Sequence, residues 1–314
     1  MTPPLVVVLG PTMSGKSGLA VELAKQFSGE VLSCDSVQVY KGFNIGTAKL
    51  TPLQQQQIPH HLIDIVEPAQ LFTAGDYARI GREVLADVSQ RRQLPIIAGG
   101  TGLYLRALLE GLFEGPKRSE ALRLELTELA SLKGVEYLHG TLMEVDPGSA
   151  QRISPQDQAK LIRALEVFYL TAKPLSQHWL KGRDPLQGYR VLKLGLNPPR
   201  QQLYQAIDLR VEQMFNEGLV EEVQSLLAKT GSSTANAFQS LGYSQTIRYL
   251  QGELDLVEAI SLTQQGTRHY AKRQMTWFRK EKNVHWLEGF GFDAAIQALA
   301  FQEVASLLKK ENRH

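Results

Sequence analysis

The segment LVVVLGPTMSGKSGLAVELA, at residues 5–20, most constrains the fold, because an apolar strand pattern passes through a glycine-rich turn directly into a helical pattern. Its glycines, lysine and serine follow the spacing GxxxxGK[ST] of phosphate-binding loops. In such loops, backbone N–H groups, the dipole of the following helix and the lysine charge stabilise phosphate oxygens, and the serine hydroxyl can face Mg²⁺. The pattern predicts a phosphate-binding loop, with Ser17 as the Mg²⁺ ligand. Its residues are Gly10, Pro11, Thr12, Met13, Ser14, Gly15, Lys16 and Ser17.

The first third of the chain alternates short apolar runs with helical patterns. Four runs are typical of strands, namely LVVVLG, GEVLSCD, HHLIDIV and LPIIAGG. Helices are predicted after the first and third of these runs, over residues 16–27 and 74–90. Continuous apolar strands separated by helices indicate a parallel sheet covered on both faces. Together with the phosphate loop, they predict an α/β fold with a P-loop NTPase-like parallel sheet core flanked by helices.

The pattern changes after Pro116, since residues 117–182 show almost only helical periodicity. The run YRVLKLGLN, at 189–197, then predicts one more core strand. Further helices are expected over residues 201–229, 243–249 and 256–279, and after Phe292. We therefore expect two domains: a core of residues 1–116 and 183–314 that includes the C-terminal helices, and an all-helical insertion of residues 117–182.

The composition excludes several classes of protein. In 314 residues the formal net charge is only +2, which favours a local basic patch over a generally basic chain. Cys34 is the only cysteine, so no internal disulfide and no cysteine-based zinc site can form. The N-terminal apolar run is too short to span a bilayer and lacks the basic flank of a signal peptide. These features predict a protein of the reducing cytoplasm that does not associate with membranes.

The sequence around the phosphate loop argues against ATP hydrolysis. ATP-hydrolysing enzymes often pair such a loop with an acidic residue at the end of another apolar strand, but LPIIAGG ends in two glycines. A carboxylate appears instead at Asp35, after the run EVLSC. Because ligands bind beyond the carboxyl ends of parallel strands, the phosphate loop, residues 35–38 and residues 99–102 should meet in one crevice. Helix capping or turn formation remains an alternative role for Asp35 and Thr101.

The segment TRHYAKRQMTWFRKEK, at residues 267–282, combines basic and aromatic residues on one predicted helix. Two stripes fall at helical spacing, namely Arg268, Lys272 and Arg279 on one side and Tyr270, Arg273, Gln274 and Trp277 on another. Basic residues interleaved with aromatics suit contacts to a nucleic-acid backbone and stacking with unpaired bases. A solvated helix whose aromatics pack on the core explains the same pattern.

A succession of motifs resembles those of bacterial tRNA dimethylallyltransferases, also called isopentenyl-tRNA transferases. The motifs are GPTMSGKS, SCDSVQVYKGFNIGTAK, HHLID, FTAGDYAR, GGTGLY, DQAKLIRALEV, AKPLS, LYQAIDLRVEQMFNEGLVEEV, LGY and TRHYAKRQMTWFR. The resemblance extends from the N-terminus to about Arg279. It implies transfer of the dimethylallyl group from dimethylallyl diphosphate to N6 of the adenosine 3′-adjacent to the anticodon in tRNA, giving N6-dimethylallyladenosine and diphosphate. The phosphate loop would then hold the diphosphate of the prenyl donor and need no ATP.

The resemblance also implies roles for individual residues. Asp35 matches the family's catalytic base, Thr101 matches a residue at the reacting centre, and Arg210 matches an arginine that contacts the diphosphate. Mg²⁺ is the implied cofactor, the anticodon stem-loop of tRNA is the implied partner of both domains, and a monomer is the implied state. The implied tRNA contacts are Asp35, Ser36, Val37, Gln38, Thr101, Arg123, Gln158, Ala159, Lys160, Leu161, Ile162, Gly242, Tyr243, Arg268, Lys272 and Arg273.

The chain departs from the family pattern at some positions, and the residues leave other functions open. Met13 replaces a usually small residue, and Lys160 replaces an arginine, which keeps the charge but loses bidentate geometry. One alternative is a P-loop kinase that phosphorylates a metabolite, with the insertion as a lid, but it leaves DSVQ and the basic helix unexplained. Another is an RNA-binding protein without catalysis, which would not need the donor-site residues.

Overall fold

The protein is described by a computed structural model that covers residues 2–113, 115–180, 182–233 and 235–309. The chain divides into two compact units. The core unit comprises residues 1–109 and 186–314, and the insertion comprises residues 110–185. The sequence pattern places the start of the insertion at residue 117 and its end at residue 182.

A parallel sheet forms the centre of the core unit. The strands found in the described part of the chain are β1 (Pro4–Leu9), β2 (Gly29–Cys34), β3 (His60–His61), β4 (Leu94–Gly99), β5 (Arg190–Leu196) and β6 (Val284–Leu287). Their spatial order is β3-β2-β4-β1-β5-β6, and every pair is parallel. The predicted α/β class is therefore confirmed, and the carboxyl ends of β1, β2 and β4 lie side by side at one edge of the sheet.

Helices flank this sheet and build the insertion. Before the insertion come α1 (Lys16–Phe27), α2 (Pro52–Gln55), α3 (Ala74–Gln90) and α4 (Gly102–Glu110). The insertion contains α5 (Glu120–Lys133), α6 (Val135–Val145), α7 (Pro147–Ala150), α8 (Gln158–Thr171) and α9 (Leu175–Leu180). The later helices are α10 (Arg200–Asn216), α11 (Leu219–Thr230), α12 (Tyr243–Leu250), α13 (Leu256–Phe278) and α14 (Ala294–Lys309).

Two apolar layers enclose the sheet, because successive side chains of each strand point to opposite faces. Val6 and Val8 of β1 pack with α1 and α14 on one face. Leu5, Val7 and Leu9 pack with α3, α4 and α13 on the other. Burial of each such side chain contributes about 1.5–3 kcal/mol. The sheet edge that carries the loops is therefore anchored on a rigid core.

Two local predictions were wrong, and one strand was missed. The run HHLIDIV forms only the two-residue strand β3, because Leu62 and Asp64 adopt left-handed backbone angles (φ 62° and 54°) that end the extended conformation. The helix predicted over 201–229 is two helices, α10 and α11, separated at Gly218, whose φ is 102°. Strand β6 was not predicted from the sequence at all.

The insertion has an apolar core of its own. Leu138 and Leu142 of α6 pack there with Leu161 and Leu165 of α8, and all four are fully buried. Throughout the ranges that the structure covers, no helix is both long enough and apolar enough to span a bilayer.

Candidate active site

The phosphate loop joins β1 to α1 and presents a set of unpaired backbone donors. Gly10 and Gly15 have φ angles of 151° and 85°, so the two bends of the loop require glycine. Among the described residues, no acceptor is found for the N–H groups of Met13, Gly15, Lys16, Ser17 and Gly18. Unpaired N–H groups at a helix N-terminus form an anion site. This geometry fits a diphosphate.

The Lys16 side chain folds back along the loop. Its Nζ donates a hydrogen bond of 2.6 Å to the Pro11 carbonyl. Burial lowers the pKa of Lys16 to about 8, while the nearby Asp35 and Cys34 act to raise it. A desolvated lysine regains its charge beside an anion, so a phosphate group in this loop would stabilise the protonated form.

Asp35 and Thr101 are held in one hydrogen-bonded unit at the ends of β2 and β4. The Asp35 Oδ1 accepts hydrogen bonds from the backbone N–H groups of Val37 (2.8 Å) and Gln38 (3.2 Å), which is the turn that the sequence left open as an alternative. The Thr101 Oγ1 accepts a hydrogen bond from the Ser36 N–H at 3.1 Å. In the described ranges, Asp35 Oδ2 has no hydrogen-bond partner. The carboxylate is thus fixed by one oxygen and can accept a proton on the other.

Close backbone packing explains why β4 ends in glycines rather than an acidic residue. A Cβ atom at Gly99 would lie 2.1 Å from the Cys34 carbonyl oxygen, so no side chain fits at that position. The neighbouring Cys34 thiol is buried, which raises its pKa to about 12. The site therefore contains a carboxylate at Asp35, a neutral thiol at Cys34 and no acidic residue at the end of β4.

A cavity of about 310 Å³ opens beside these groups, which is within the range of small-molecule sites. Its polar wall includes Thr12, Asp35, Ser36 and Arg210, and its apolar wall includes Met13, Ile207, Val211 and Met214. Arg210 comes from α10, and its Nη1 is paired with the Glu217 carboxylate at 2.9 and 3.1 Å. The structure thus brings the predicted base and the predicted diphosphate contact to one cavity.

Helix α13 faces the core with one stripe and solvent with another. Gln274 is buried, and Tyr270 and Trp277 are partly buried. Burial raises the pKa of Tyr270, while hydrogen bonding to Thr101 acts in the opposite direction. Lys272 and Arg273 are exposed. The aromatics therefore pack inward, as the alternative interpretation expected, and the basic residues remain available at the surface.

Two other cations from the predicted tRNA contacts are already engaged in ion pairs. Arg268 pairs with Asp208 of α10. Lys160 pairs with Asp157, the N-cap residue of α8. The partners are partly exposed, so these pairs are open to competition from a phosphate.

Arg123 belongs to a buried network in the insertion. Its Nε and Nη2 donate to the two oxygens of Glu166 at 2.9 and 3.0 Å, and Arg163 donates to the same carboxylate at 2.5 Å. The Ser119 N–H adds a fourth hydrogen bond, at 2.8 Å. Glu166 is fully buried; its desolvation would raise the pKa, but the two arginines hold it at about 2. Arg123 therefore has a structural role in addition to its predicted contact with tRNA.

Three of the predicted tRNA contacts have side chains that are buried within the protein. Tyr243 is fully buried, and its hydroxyl donates a 2.6 Å hydrogen bond to Glu222. Leu161 and Ile162 point into the core of the insertion. These side chains contribute to packing, and their contact with tRNA stays a prediction. Gly242 caps α12, and Gln158 and Ala159 form the first turn of α8 near the surface.

The side-chain amide of Gln38, another predicted tRNA contact, makes hydrogen bonds within the protein at both of its ends. Its Oε1 accepts a hydrogen bond from the Ser33 hydroxyl at 3.0 Å, and its Nε2 donates to the Thr47 carbonyl at 3.1 Å. The amide thereby holds the segment after β2 against residues 43–48, which line the cavity at Thr47.

The residues present fit a Mg²⁺ ion bound mainly through the substrate. In the part of the chain that the structure describes, no group of three or more His, Cys, Asp or Glu side chains could hold a metal. The Ser17 hydroxyl lies at the start of α1, beside the unpaired N–H groups of the loop. Magnesium commonly keeps several waters and binds through few protein ligands plus substrate phosphates, so a hydroxyl beside a phosphate site suits it.

Sequence reasoning missed the polar residues that support this site from a distance. Glu217 pairs with Arg210 across the break between α10 and α11. Gln274, which the sequence placed in a helical stripe with Tyr270 and Trp277, is buried against the phosphate loop. A polar residue at helical spacing from aromatic residues is the signal that the sequence carries, and it does not identify the hydrogen-bond partners, which lie far away along the chain.

Comparison with known proteins agrees with this geometry. A family model described as IPP transferase matches residues 38–281. A tRNA dimethylallyltransferase of Koribacter versatilis is 52% identical over 300 residues, covering 96% of this chain and 97% of the relative.

Solved structures match over nearly the whole chain as well. The full-length tRNA isopentenylpyrophosphate transferase of Bacillus halodurans is 36% identical, with a TM-score of 0.71 and 99% of both chains covered. A eukaryotic dimethylallyltransferase acting on tRNA is 26% identical, with a TM-score of 0.81, and the match covers 97% of this chain and 79% of that one. With its phosphate loop, free carboxylate oxygen and shared cavity, this chain belongs to the IPP transferase family.

Proposed function

We propose that this protein is a tRNA dimethylallyltransferase. It transfers the dimethylallyl group from dimethylallyl diphosphate to N6 of the adenosine 3′-adjacent to the anticodon. The observation that carries the proposal is the cavity that joins the phosphate loop to the unpaired Oδ2 of Asp35. One end suits a diphosphate, and the other suits the removal of a proton from an amine.

Asp35 acts as the general base. An exocyclic adenine amine is a weak nucleophile because its lone pair is delocalised into the ring, so its proton must leave as the new bond forms. The N6–carbon bond forms, the bond between that carbon and the diphosphate oxygen breaks, and the N6 proton moves to Asp35 Oδ2. Thr101 orients the base by binding the Ser36 N–H next to Asp35.

The phosphate loop stabilises the leaving diphosphate. Its unpaired N–H groups and Lys16 face the charge that develops as the carbon–oxygen bond breaks. Arg210 exchanges the exposed Glu217 carboxylate for the diphosphate. The Ser17 hydroxyl would help to hold Mg²⁺ beside the diphosphate, and the ion would supply further neutralisation of this charge.

The tRNA binds through residues of both units. The target adenosine leaves the anticodon-loop stack to enter the cavity, as bases do in other base-modifying enzymes. Lys272 and Arg273 of α13 bind the backbone near the cavity, and Ser36 and Val37 contact the flipped nucleotide. In the insertion, Arg123 and the first turn of α8, at Gln158, Ala159 and Lys160, bind the stem-loop.

The test is a product assay without ATP. Unmodified tRNA, Mg²⁺ and dimethylallyl diphosphate are incubated with the protein, and the tRNA is digested to nucleosides. We expect N6-dimethylallyladenosine, and omission of Mg²⁺ should slow its formation. If the folded protein gives no such nucleoside, the proposed function is wrong.

We also propose that the enzyme acts as a monomer in the cytoplasm, where its tRNA substrates are. A single core unit supplies the loop, the base and the arginine that line one cavity, so the site needs no second copy. Light scattering at assay concentration should give the mass of one chain, 35.0 kDa. A dimer under these conditions would contradict the proposed state.

A further inference from the structure

Gln274 of α13 joins two of the loops that form the active site. Its Oε1 accepts a hydrogen bond from the Thr12 N–H at 2.8 Å, and its Nε2 donates to the Gly100 carbonyl at 2.9 Å. Thr12 belongs to the phosphate loop, and Gly100 directly precedes Thr101. Gln274 is only 5% exposed, so both hydrogen bonds are shielded from water.

These bonds replace backbone pairing where the sheet ends. The register of β1 and β4 runs to Leu9 and Gly99, and beyond this pair the two strands separate. Within the described ranges, no direct hydrogen bond joins residues 10–17 to residues 99–102. The Gln274 amide thus occupies the place of a bridging peptide between Thr12 and Gly100.

The residue at position 100 leaves space for the Gln274 amide between the two loops. A Cβ atom at Gly100 would lie 2.1 Å from Gln274 Nε2, so the close approach of the amide requires glycine. From Gly100 the connection continues through Thr101 to the Ser36 N–H, and Ser36 follows Asp35. One chain of bonds therefore runs from the loop for the leaving group to the residue that accepts the proton.

We propose that Gln274 is a positioning residue that sets the separation between the bound diphosphate and Asp35. The inference rests on the proposed function. Gln274 does not line the cavity, so it acts through Thr12 and Thr101 rather than on the substrate. Because reacting groups misplaced by about 1 Å can lose on the order of 100-fold in rate, the amide affects turnover more than binding.

The test compares Gln274→Met with a matched control on the same helix. Methionine keeps the length of the side chain but makes neither hydrogen bond. Gln264→Met is the control, since Gln264 also donates from α13 to a backbone carbonyl, that of Asp208, at 3.2 Å. We expect kcat to fall about 100-fold in Gln274→Met, with KM for tRNA and Kd for inorganic pyrophosphate within threefold of wild type. The control should keep kcat within twofold.

A second variant and a second measurement separate this inference from the proposed function. Gly100→Ala should reproduce the loss of kcat with Gln274 intact, because the methyl group displaces the amide. Hydrogen exchange at the Thr12 amide should accelerate at least tenfold in Gln274→Met and stay unchanged in Gln264→Met, whether or not the enzyme turns over. Unchanged exchange at Thr12, or a kcat within twofold of wild type in folded Gln274→Met, would overturn the inference. A loss confined to pyrophosphate affinity would overturn it too.

Discussion

The two oxygens of the Asp35 carboxylate have different tasks. Oδ1 closes the turn after β2, and in the proposed reaction Oδ2, which has no hydrogen-bond partner among the described residues, takes the proton. Both of the roles that the sequence allowed for Asp35, turn former and base, are therefore compatible with one side chain. The Thr101 hydroxyl likewise has a structural contact, since it accepts the Ser36 N–H and so orients the segment after β2 beside the proposed base.

Asp35→Asn separates these two tasks. The amide oxygen can still accept from the N–H groups of Val37 and Gln38, but the side chain can no longer take a proton. We expect kcat to fall by a factor of about 10² to 10⁴, with the affinity for pyrophosphate nearly unchanged in titration calorimetry. If pyrophosphate affinity falls in parallel with kcat, Asp35 binds the donor or its metal and is not the base.

The lowered pKa of Lys16 predicts that donor binding depends on pH. Its pKa of about 8 in the free protein lies below the ordinary value of 10.5, so the side chain is charged below pH 8 and neutral above it. Since the diphosphate binds the charged form, affinity for pyrophosphate should fall as the pH rises through about 8, by up to about tenfold per pH unit. Calorimetry between pH 6.5 and 9.5 measures this dependence.

Lys16→Gln is the control for that measurement, because the titration of the ligand is the same in both proteins. The variant should bind more weakly at pH 7 and lack the additional loss above pH 8. An identical pH profile for both proteins would contradict the assigned role of Lys16.

Secondary structure elements differ in how well the sequence defines them. The bounds of α1 and α3 agree with the prediction because local signals fix their ends, such as the Thr73 capping box at the start of α3. The break between α10 and α11 depends on one positive-φ glycine within a strongly helical pattern. Strand β6 is short and pairs only with β5, so its existence depends on a tertiary contact.

Helices α5 and α8 are joined by the Glu166 network, which predicts a large loss of stability on mutation. Glu166→Gln leaves two arginines facing a neutral amide, and loss of one partner from a buried ion pair costs about 3–5 kcal/mol. Hydrogen exchange of peptides from the insertion measures its local stability. Glu125→Gln, at an exposed position on α5, should change it by less than about 0.5 kcal/mol.

The Glu166 network also predicts how the stability of the insertion depends on pH in acid. The pKa of Glu166 is about 2 in the folded protein, and its ordinary value, which applies to the unfolded chain, is 4.5. The contribution of Glu166 to folding stability is therefore complete above pH 4.5 and is lost as the pH falls towards 2. Glu166→Gln should therefore flatten the dependence of stability on pH in this window. An equally steep acid response in the variant would show that other carboxylates dominate it.

Helix α13 carries the prediction for tRNA binding. Lys272→Ala should weaken tRNA binding and reduce the slope of log affinity against log salt by about one unit, because one phosphate contact is lost. Lys25→Ala is the control, since Lys25 is also exposed but lies in the last turn of α1, away from the loop edge of the sheet. Filter binding at several salt concentrations measures both slopes, and equal slopes for Lys272→Ala and wild type would mean that this side of α13 does not contact the RNA.

For the whole molecule, the sequence was sufficient for the fold class and for the positions of the loops around the site, because most of the strands and the phosphate motif are local patterns. The rule that parallel strands end at one edge then predicted that residues 10–17, 35–38 and 99–102 meet. The sequence did not predict which motif residues are buried. Tyr243, Leu161 and Ile162 were predicted as tRNA contacts from the same resemblance as Lys272, and only tertiary packing distinguishes them from it.

The sheet order also bears on how the chain folds while it is synthesised. Strand β1 is made well before β5, one of its two neighbours in the sheet, with Leu5 opposite Val191 and the entire insertion between them in sequence. At roughly 5–20 residues per second, on the order of ten seconds or more pass before β5 leaves the ribosome. During that time one hydrogen-bonding edge of the most apolar strand is open. The helices of the insertion pack around an apolar core of their own, so they can fold during this interval, before the central strand gains its second neighbour.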